Sequence, residues 1–280
     1  MFLKRRKGAL NVLQSDLIPI QVKHAFTTRR ITPSSDFPSN ENANFRIDSL
    51  PETAKYWVHL RDLLFTREHV CYVHSQVHGG HVRLIDPDKP EGVEKEIEGF
   101  RFRILGEGDG IIKPFTRKPI FLTINTADCL PCLIYDTNSG AVGAVHAGWR
   151  SLAADIPAEA VRIFGKAFGS APKHLLWAVG PSVDMDNYEV GREVIAAMET
   201  AGYADSDWKY DSDTRPGWLP TRGGKFKLDL SACLSLRLRN LNVPDKNVDI
   251  CPLSTFTNPA SFYSYRRDKE IRGLQASVIG

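Results

Sequence analysis

Three residues can act as a set because each stands at the end of a run of regular sequence. His78 follows VCYVHSQV and enters Gly79-Gly80. Cys129 stands behind Asp128 at the head of LPCLIYD, and His146 ends AVGAVH before Ala147-Gly148. A side chain at such a place is held by its element yet reachable. Two imidazoles and a thiolate suit zinc, and three protein ligands leave a fourth position for water or substrate. Their wide separation is unlike a structural zinc knuckle, whose ligands arrive in close pairs, and points to a catalytic site. The residues alone leave alternatives open. His74 and His81 are also available as ligands, and Cys129-Leu-Pro-Cys132 has the spacing of a redox dithiol. Each of these side chains also reads as an ordinary buried or hydrogen-bonded residue. Cys71, Cys233 and Cys251 sit among apolar or turn residues and read as packing.

The elements that must carry these residues follow from periodicity. An extended segment around VKHAFTTRR precedes a polar loop to about Ile47, and a helix follows Pro51, with Ala54, Tyr56, Trp57, Leu60, Leu63 and Leu64 at helical spacing. Val70 to His78 reads as a strand, with Tyr72, His74, Gln76 and His78 on one face. Residues 86–103 read as a charged, irregular connection. IFLTIN, LPCLIYD and AVGAVHAG read as three strands, the last two joined by a hairpin through Asn138-Ser139-Gly140. A helical pattern then runs to Phe168, with Pro157 starting, kinking or interrupting it. HLLWAVG, VDI near 248 and SFYSY near 262 read as strands, and Tyr188–Ala201 and Leu228–Leu241 as helices. DSDTRPGWLPTRGG reads as an excursion in which Trp218 covers a site edge.

Mixed helices and strands over the whole length predict one α/β or α+β domain. No linker, repeat or composition break divides the 280 residues. The domain is placed at 11–280, with 1–10 as a flexible, basic N-terminus. No apolar run approaches the roughly 20 residues needed to span a bilayer, so no membrane role is expected. A net charge of +3 spread along the chain, without a basic block followed by aromatics, argues against nucleic acid. Five cysteines, an odd number, without a secretion signal read as thiols of a reducing compartment, hence the cytoplasm. A monomer is the default, and no protein partner is legible.

The sequence also resembles a known family, the bacterial laccase-like domain proteins. These are labelled polyphenol oxidoreductases and described as purine nucleoside phosphorylases with adenosine deaminase activity. The likeness is carried by SQVHG at 75–79, GDG at 108–110, TADCLPCLIYD at 126–136 and AVHAGWR at 144–150. It continues through GPSVDMDNYEVG at 180–191, KFKLDL at 225–230 and FYSYRRD at 262–268. The resemblance implies a single four-layer mixed α/β domain, similar also to a bacterial toxin cysteine deamidase, with zinc on His78, Cys129 and His146. It implies phosphorolysis of adenosine, inosine, guanosine or methylthioadenosine, plus deamination of adenosine, so the partners are a purine nucleoside and phosphate. Multicopper oxidation fits poorly, because eight histidines without an HxH pair cannot build the required copper cluster.

On that reading Asp128 moves protons beside Cys129 or caps its turn, and Arg150, Arg29 and Arg266 supply charge-assisted donors to phosphate. Gln76 and Asn44 bind hydroxyls or the base. Two other functions remain open: a Cys/His amidohydrolase using Cys129 and His146, and a non-catalytic zinc and nucleoside-binding domain.

The chain departs from the family pattern at three places. Where the family has a glycine-rich GGVS and then SLNLG, this chain has RITPSSDFPSNENANF, keeping Asn44 and Asp48. An Asn-Arg pair is replaced by Trp57-Val58, and a GR after SYRRD is displaced. The altered 30–47 segment is expected to border the pocket and reshape it, through Ile31, Pro33, Phe37, Pro38 and Phe45.

Overall fold

The computed structural model describes residues 1–7, 9–33, 37, 41–203 and 217–280. Pro38 and residues 211–216 of the Trp218 excursion lie outside the described residues. The chain opens with β1 (Phe2–Lys7), β2 (Leu10–Ser15), β3 (His24–Ile31), α1 (Ala54–Leu64), β4 (Val70–Ser75) and β5 (Val82–Leu84). It continues with β6 (Val93–Ile97), β7 (Phe100–Glu107), β8 (Gly110–Lys113), β9 (Ile120–Thr126), β10 (Leu130–Asp136) and β11 (Val142–Ala147). Next come α2 (Trp149–Ala153), α3 (Ile156–Phe168), β12 (Leu175–Val179), β13 (Glu189–Val190) and α4 (Arg192–Thr200). It closes with β14 (Trp218–Pro220), β15 (Phe226–Leu228), α5 (Leu230–Asn240), β16 (Val248–Ile250), α6 (Tyr265–Asp268) and β17 (Gln275–Ile279).

These strands form an eight-stranded sheet in the order β1-β2-β3-β17-β9-β4-β7-β6 and a six-stranded sheet in the order β16-β12-β10-β11-β8-β5. A small third sheet is ordered β13-β15-β14. The two large sheets share one apolar core, where Phe26, Tyr72, Leu122 and Ile124 meet Ile111, Leu133, Val142 and Ala178. A second cluster fills the space between α1 and the eight-stranded sheet. There Trp57 stacks on Phe100 with ring centres 5.4 Å apart and meets Phe45 edge-on. Such aromatic pairs contribute about 0.5–1.5 kcal/mol each beyond simple burial. A third cluster packs α3, α4 and α5 against the six-stranded sheet through Ile156, Phe164, Ile195, Leu234 and Trp177. The result is a single mixed α/β domain, and no described helix is long and apolar enough to cross a membrane.

Most expected elements are present, and the differences have physical causes. Residues 2–7, read as a loose end, pair with β2 as an antiparallel edge strand. The charged stretch at 86–103 contains the hairpin β6–β7. Its turn places Glu98 and Gly99 at positive φ, and alternation buries Phe100 and Phe102 while Arg101 and Arg103 reach Glu94. The strand at 70 stops at Ser75 and is buried on both sides, because Cys71 joins the α1 cluster and Tyr72 the inter-sheet core. SFYSY is not a strand: Tyr265 begins α6, capped by Ser264. β17, which the sequence reading missed, sits in the middle of the larger sheet. The helix expected from Tyr188 starts at Arg192, after the short strand β13. Trp218 is buried in the helix-side cluster.

Candidate metal centre

The three candidate ligands are brought together by the ends of β4, β9 and β11. Beyond β4, the Gln76 amide binds Asn125 of β9 with both its atoms, donating to the carbonyl at 2.8 Å and accepting from the N–H at 2.7 Å. The chain then turns. Val77, His78 and Gly79 direct consecutive backbone N–H groups at the Asp109 carboxylate, at 3.3, 2.9 and 2.6 Å. His78 sits at φ 61°, a left-handed conformation that this anion-binding turn requires.

Asp109 immediately precedes β8 and is fully buried. Its Oδ1 also meets His146 Nδ1 at 2.8 Å, and its carbonyl accepts from the His146 N–H at 2.7 Å. With Nδ1 donating to the carboxylate, the lone pair of His146 lies on Nε2, the form a metal ligand needs. Burial alone would raise the Asp109 carboxyl. The His146 ring and the Gly79 and His78 N–H groups outweigh it and hold the group below its ordinary value.

Cys129 arrives from β9 through Asp128, which adopts φ 105°. In the β10–β11 hairpin Pro131 faces His146 and Leu130 faces Ala147, so the residues just beyond the pairing, Cys129 and Gly148, lie together. A Cβ on Gly148 would fall 2.8 Å from the Cys129 Sγ and 3.4 Å from the His78 ring. Only glycine leaves the sulfur where it is. One donor atom from each of His78, Cys129 and His146 lies within 4.8 Å of the others. The His78 and His146 rings are 4.7 Å apart and nearly perpendicular.

This donor set fits a zinc-sized ion. Burial would raise the Cys129 thiol, but the neighbouring His146 and His78 rings bring it below the ordinary value. Burial would lower His146, yet the Cys129 sulfur and Asp109 raise it. The pair thus leans toward thiolate and imidazolium, and a divalent cation would take the place of the protons. His146 is buried, Cys129 half-buried and His78 exposed, so the site opens on the His78 side.

The remaining expected residues fall into two groups. Beside Cys129, Tyr188 has Arg266, Asp128 and Arg150 as charged neighbours. The Arg266 guanidinium lies 4.8 Å over the Tyr188 ring and donates to the Glu189 carbonyl at 2.7 Å. Arg150 is exposed and lies 4.3 Å over Trp149. The second group lies toward β3, where Arg29 covers Tyr263 at 4.6 Å and donates to Asn42, and the Asn44 side-chain carbonyl accepts from the Arg46 and Leu274 N–H groups. Gln76 is taken up by its strand-like pairing with Asn125. Phe37, Phe45 and Trp57 pack in the α1 cluster, so these three side chains fill core, whereas Pro33 is exposed. The sequence reading assigned no role to Asp109. Its signal was one acid between two glycines, at the head of an apolar strand.

Residues 23–280 match the family described as multi-copper polyphenol oxidoreductase laccase. The chain is 31% identical over 263 residues to a purine nucleoside phosphorylase of Deinococcus radiodurans, covering 93% of this chain and 90% of that one. It is 31% identical over 211 residues to purine nucleoside phosphorylase ORF3 of Streptomyces griseus, covering 75% and 74%. The fold is similar to that of YlmD from Geobacillus stearothermophilus, with a TM-score of 0.80 at 21% identity, covering 100% of this chain and 98% of that one. Bacillus licheniformis YfiH gives a TM-score of 0.79 at 22% identity, covering 99% and 98%. The chain, with its strand-end cluster of two histidines and a cysteine, therefore belongs to the multi-copper polyphenol oxidoreductase laccase family.

Proposed function

We propose that this protein is a zinc-dependent purine nucleoside phosphorylase that also deaminates adenosine. The observation that carries the reading is the cluster of His78, Cys129 and His146, braced by one buried carboxylate and open on one side. Relatives named purine nucleoside phosphorylase support a purine nucleoside as the substrate class, and within it we assign adenosine, inosine, guanosine and methylthioadenosine. The three apolar clusters support a four-layer domain that takes in β1 and Ala9-Leu10 as well as residues 11–280, and the free thiols support a cytoplasmic setting.

His78, Cys129 and His146 would hold the ion, and Asp109 fixes the ring orientation of His146. When bound, zinc supplies Lewis acidity at an open coordination position. Arg266 and Arg150 approach phosphate from the Tyr188 side with charged donors, screening its repulsion from the Cys129 thiolate. Tyr188 carries a phenol that burial keeps in its neutral form, available to donate or accept at the substrate. Arg29 and Asn44 are assigned to the sugar or base on the β3 side.

The test is incubation of the zinc-loaded protein with adenosine, with and without inorganic phosphate. Free base and ribose 1-phosphate should appear only with phosphate, and inosine under both conditions. No turnover of any of the four nucleosides by protein of verified zinc content would remove the proposal.

A second reading has its own support. Asp109, His146 and Cys129 form an acid–imidazole–thiol sequence, the arrangement of a cysteine amidohydrolase. A covalent acyl adduct on Cys129 trapped during turnover of an amide would favour it, and nucleoside turnover without such an adduct would reject it.

A further inference from the structure

We propose that Asp128 is a positioning residue that ties the Cys129 side chain to the segment carrying Arg266, so that one carboxylate sets both the candidate ligand and the anion-binding arm. Asp128 is buried, and its φ of 105° is a conformation that a residue with a Cβ rarely adopts. Such a conformation persists only where the surroundings over-determine it. Here they do. The Asp128 carbonyl accepts from the Val183 N–H at 2.9 Å. Its Oδ1 accepts from the Thr255 hydroxyl at 2.6 Å, and its Oδ2 from the Arg266 N–H at 2.6 Å.

The donors come from two stretches remote from Asp128 in sequence, one at Val183 and one running from Thr255 to Arg266, and the second is braced further. Thr255 is fully buried, and its N–H donates to the Ser182 carbonyl. The Arg267 guanidinium donates to the carbonyls of Thr255, Phe256 and Phe262, which locks the 255–262 loop to α6. The side chain next to Arg267 in sequence is Arg266, laid over Tyr188. From the sulfur of Cys129 to the backbone of Arg266 the connection is therefore one peptide unit and one charge-assisted hydrogen bond. Each carboxylate oxygen has a donor from a different residue, so the group acts as a clamp between them.

The inference rests on the metal and phosphate reading for its kinetic consequence only, and its thiol readout stands without that reading. Three variants are compared with wild type: Asp128→Asn, Thr255→Val and the double variant. The amide introduced by Asp128→Asn keeps an acceptor for Thr255 but turns an NH2 toward the Arg266 N–H. Thr255→Val removes only the hydroxyl, at a position remote from Cys129 in sequence. Three quantities are read: the rate of Cys129 alkylation by iodoacetamide in metal-free protein at fixed pH, the thiolate-to-metal absorption of the cobalt-substituted protein, and KM for phosphate against kcat.

Thr255→Val should change the alkylation rate by about 3-fold and shift the cobalt absorption. Asp128→Asn should move both further and raise KM for phosphate about 10-fold, a size usual for outer-shell partners of metal ligands. The double variant should add little to Asp128→Asn, because both act through one carboxylate. The proposal is overturned if both single variants leave thiol rate and cobalt spectrum at wild-type values. It is also overturned if Asp128→Asn lowers kcat alone, which is the mark of a proton carrier. If Asp128→Asn fails to fold, Thr255→Val decides by the same readouts. If no nucleoside is turned over, the thiol rate and cobalt spectrum decide while the phosphorylase reading falls separately.

Discussion

The two ends of β8 each bury a charge, and they treat it in opposite ways. At the start, Asp109 is met by three backbone N–H groups and the His146 ring. At the far end, Lys113 is 5% exposed, and no hydrogen bond or carboxylate partner meets its ammonium among the described residues. Burial alone drives its pKa down to about 8. A buried charge costs several kcal/mol unless paired. The polar compensation is thus concentrated at the end of β8 beside the His78, Cys129 and His146 cluster, and the other end is left as a cost to stability. The difference separates a charge kept for chemistry from one tolerated by the fold.

The largest effect should come from Asp109→Asn. The amide keeps the size of the carboxylate but sets an NH2 against N–H groups of the 77–79 turn or against His146 Nδ1. Two of the three ligands lose their orientation together, and metal affinity should fall about 100-fold. Competition with a chromophoric chelator measures it. An affinity within 3-fold of wild type would mean that the compensation at this end is dispensable, and the contrast along β8 would fail.

Lys113→Met probes the other end with the opposite sign. The folded pKa of about 8 lies below the unfolded value near 10.5, so below pH 8 the folded protein carries the whole burden of the buried cation. Between those values the folded state sheds its proton first, the unfolded state binds more, and wild-type stability rises with pH. Above 10.5 the burden is gone. The variant should be more stable at pH 7 by on the order of 2–3 kcal/mol, with the gain shrinking from pH 8 upward. Denaturant melts across this range check it, and a gain independent of pH would show that volume, not charge, is responsible.

A smaller effect is expected from Gly148→Ala, which tests whether the ligand end is packed as tightly as it is hydrogen-bonded. The added methyl would meet the Cys129 sulfur at 2.8 Å, inside van der Waals contact. Relief requires a shift of a few tenths of an ångström, more than the roughly 0.2 Å tolerance of a metal–ligand distance. Metal affinity should drop about 10-fold, with the melting curve of the metal-free protein nearly unchanged.

How much of this was legible in the sequence follows from the kind of force involved. The strands around Cys132 and Val145, and the helix of Trp57 and Leu60, were visible because apolar periodicity records burial directly. The candidate cluster of His78, Cys129 and His146 was visible because each member ends such a run. The hairpin at 93–107 was obscured by Glu and Arg residues, whose cross-strand pairing becomes apparent only in register. β17 is a short run whose identity depends on pairing with β3 and β9, far away in sequence. Asp109 was missed for a related reason. Its importance lies in donors from 77–79 and 146, and no local pattern in GEGDGII announces them. In the 30–47 segment, expected to border the pocket because it differs from a family pattern, Phe37 and Phe45 serve the packing of α1.

The smallest expected effect lies at the rim. Arg150 is exposed and lies over the Trp149 ring. An exposed guanidinium stays hydrated and screened, so its pull on a bound anion is modest. Arg150→Ala should leave metal affinity within about 2-fold and stability within about 0.5 kcal/mol, the usual range for surface changes. KM for phosphate should rise about 3- to 5-fold at low ionic strength, and the difference from wild type should shrink as salt is added. A guanidinium that merely decorates the surface would leave KM unmoved at every salt concentration. One that braces the metal would lower metal affinity as Asp109→Asn does, and would erase the distinction between a rigid inner site and a yielding rim. Metal titration and phosphate kinetics on the same preparation, at two ionic strengths, separate the three outcomes.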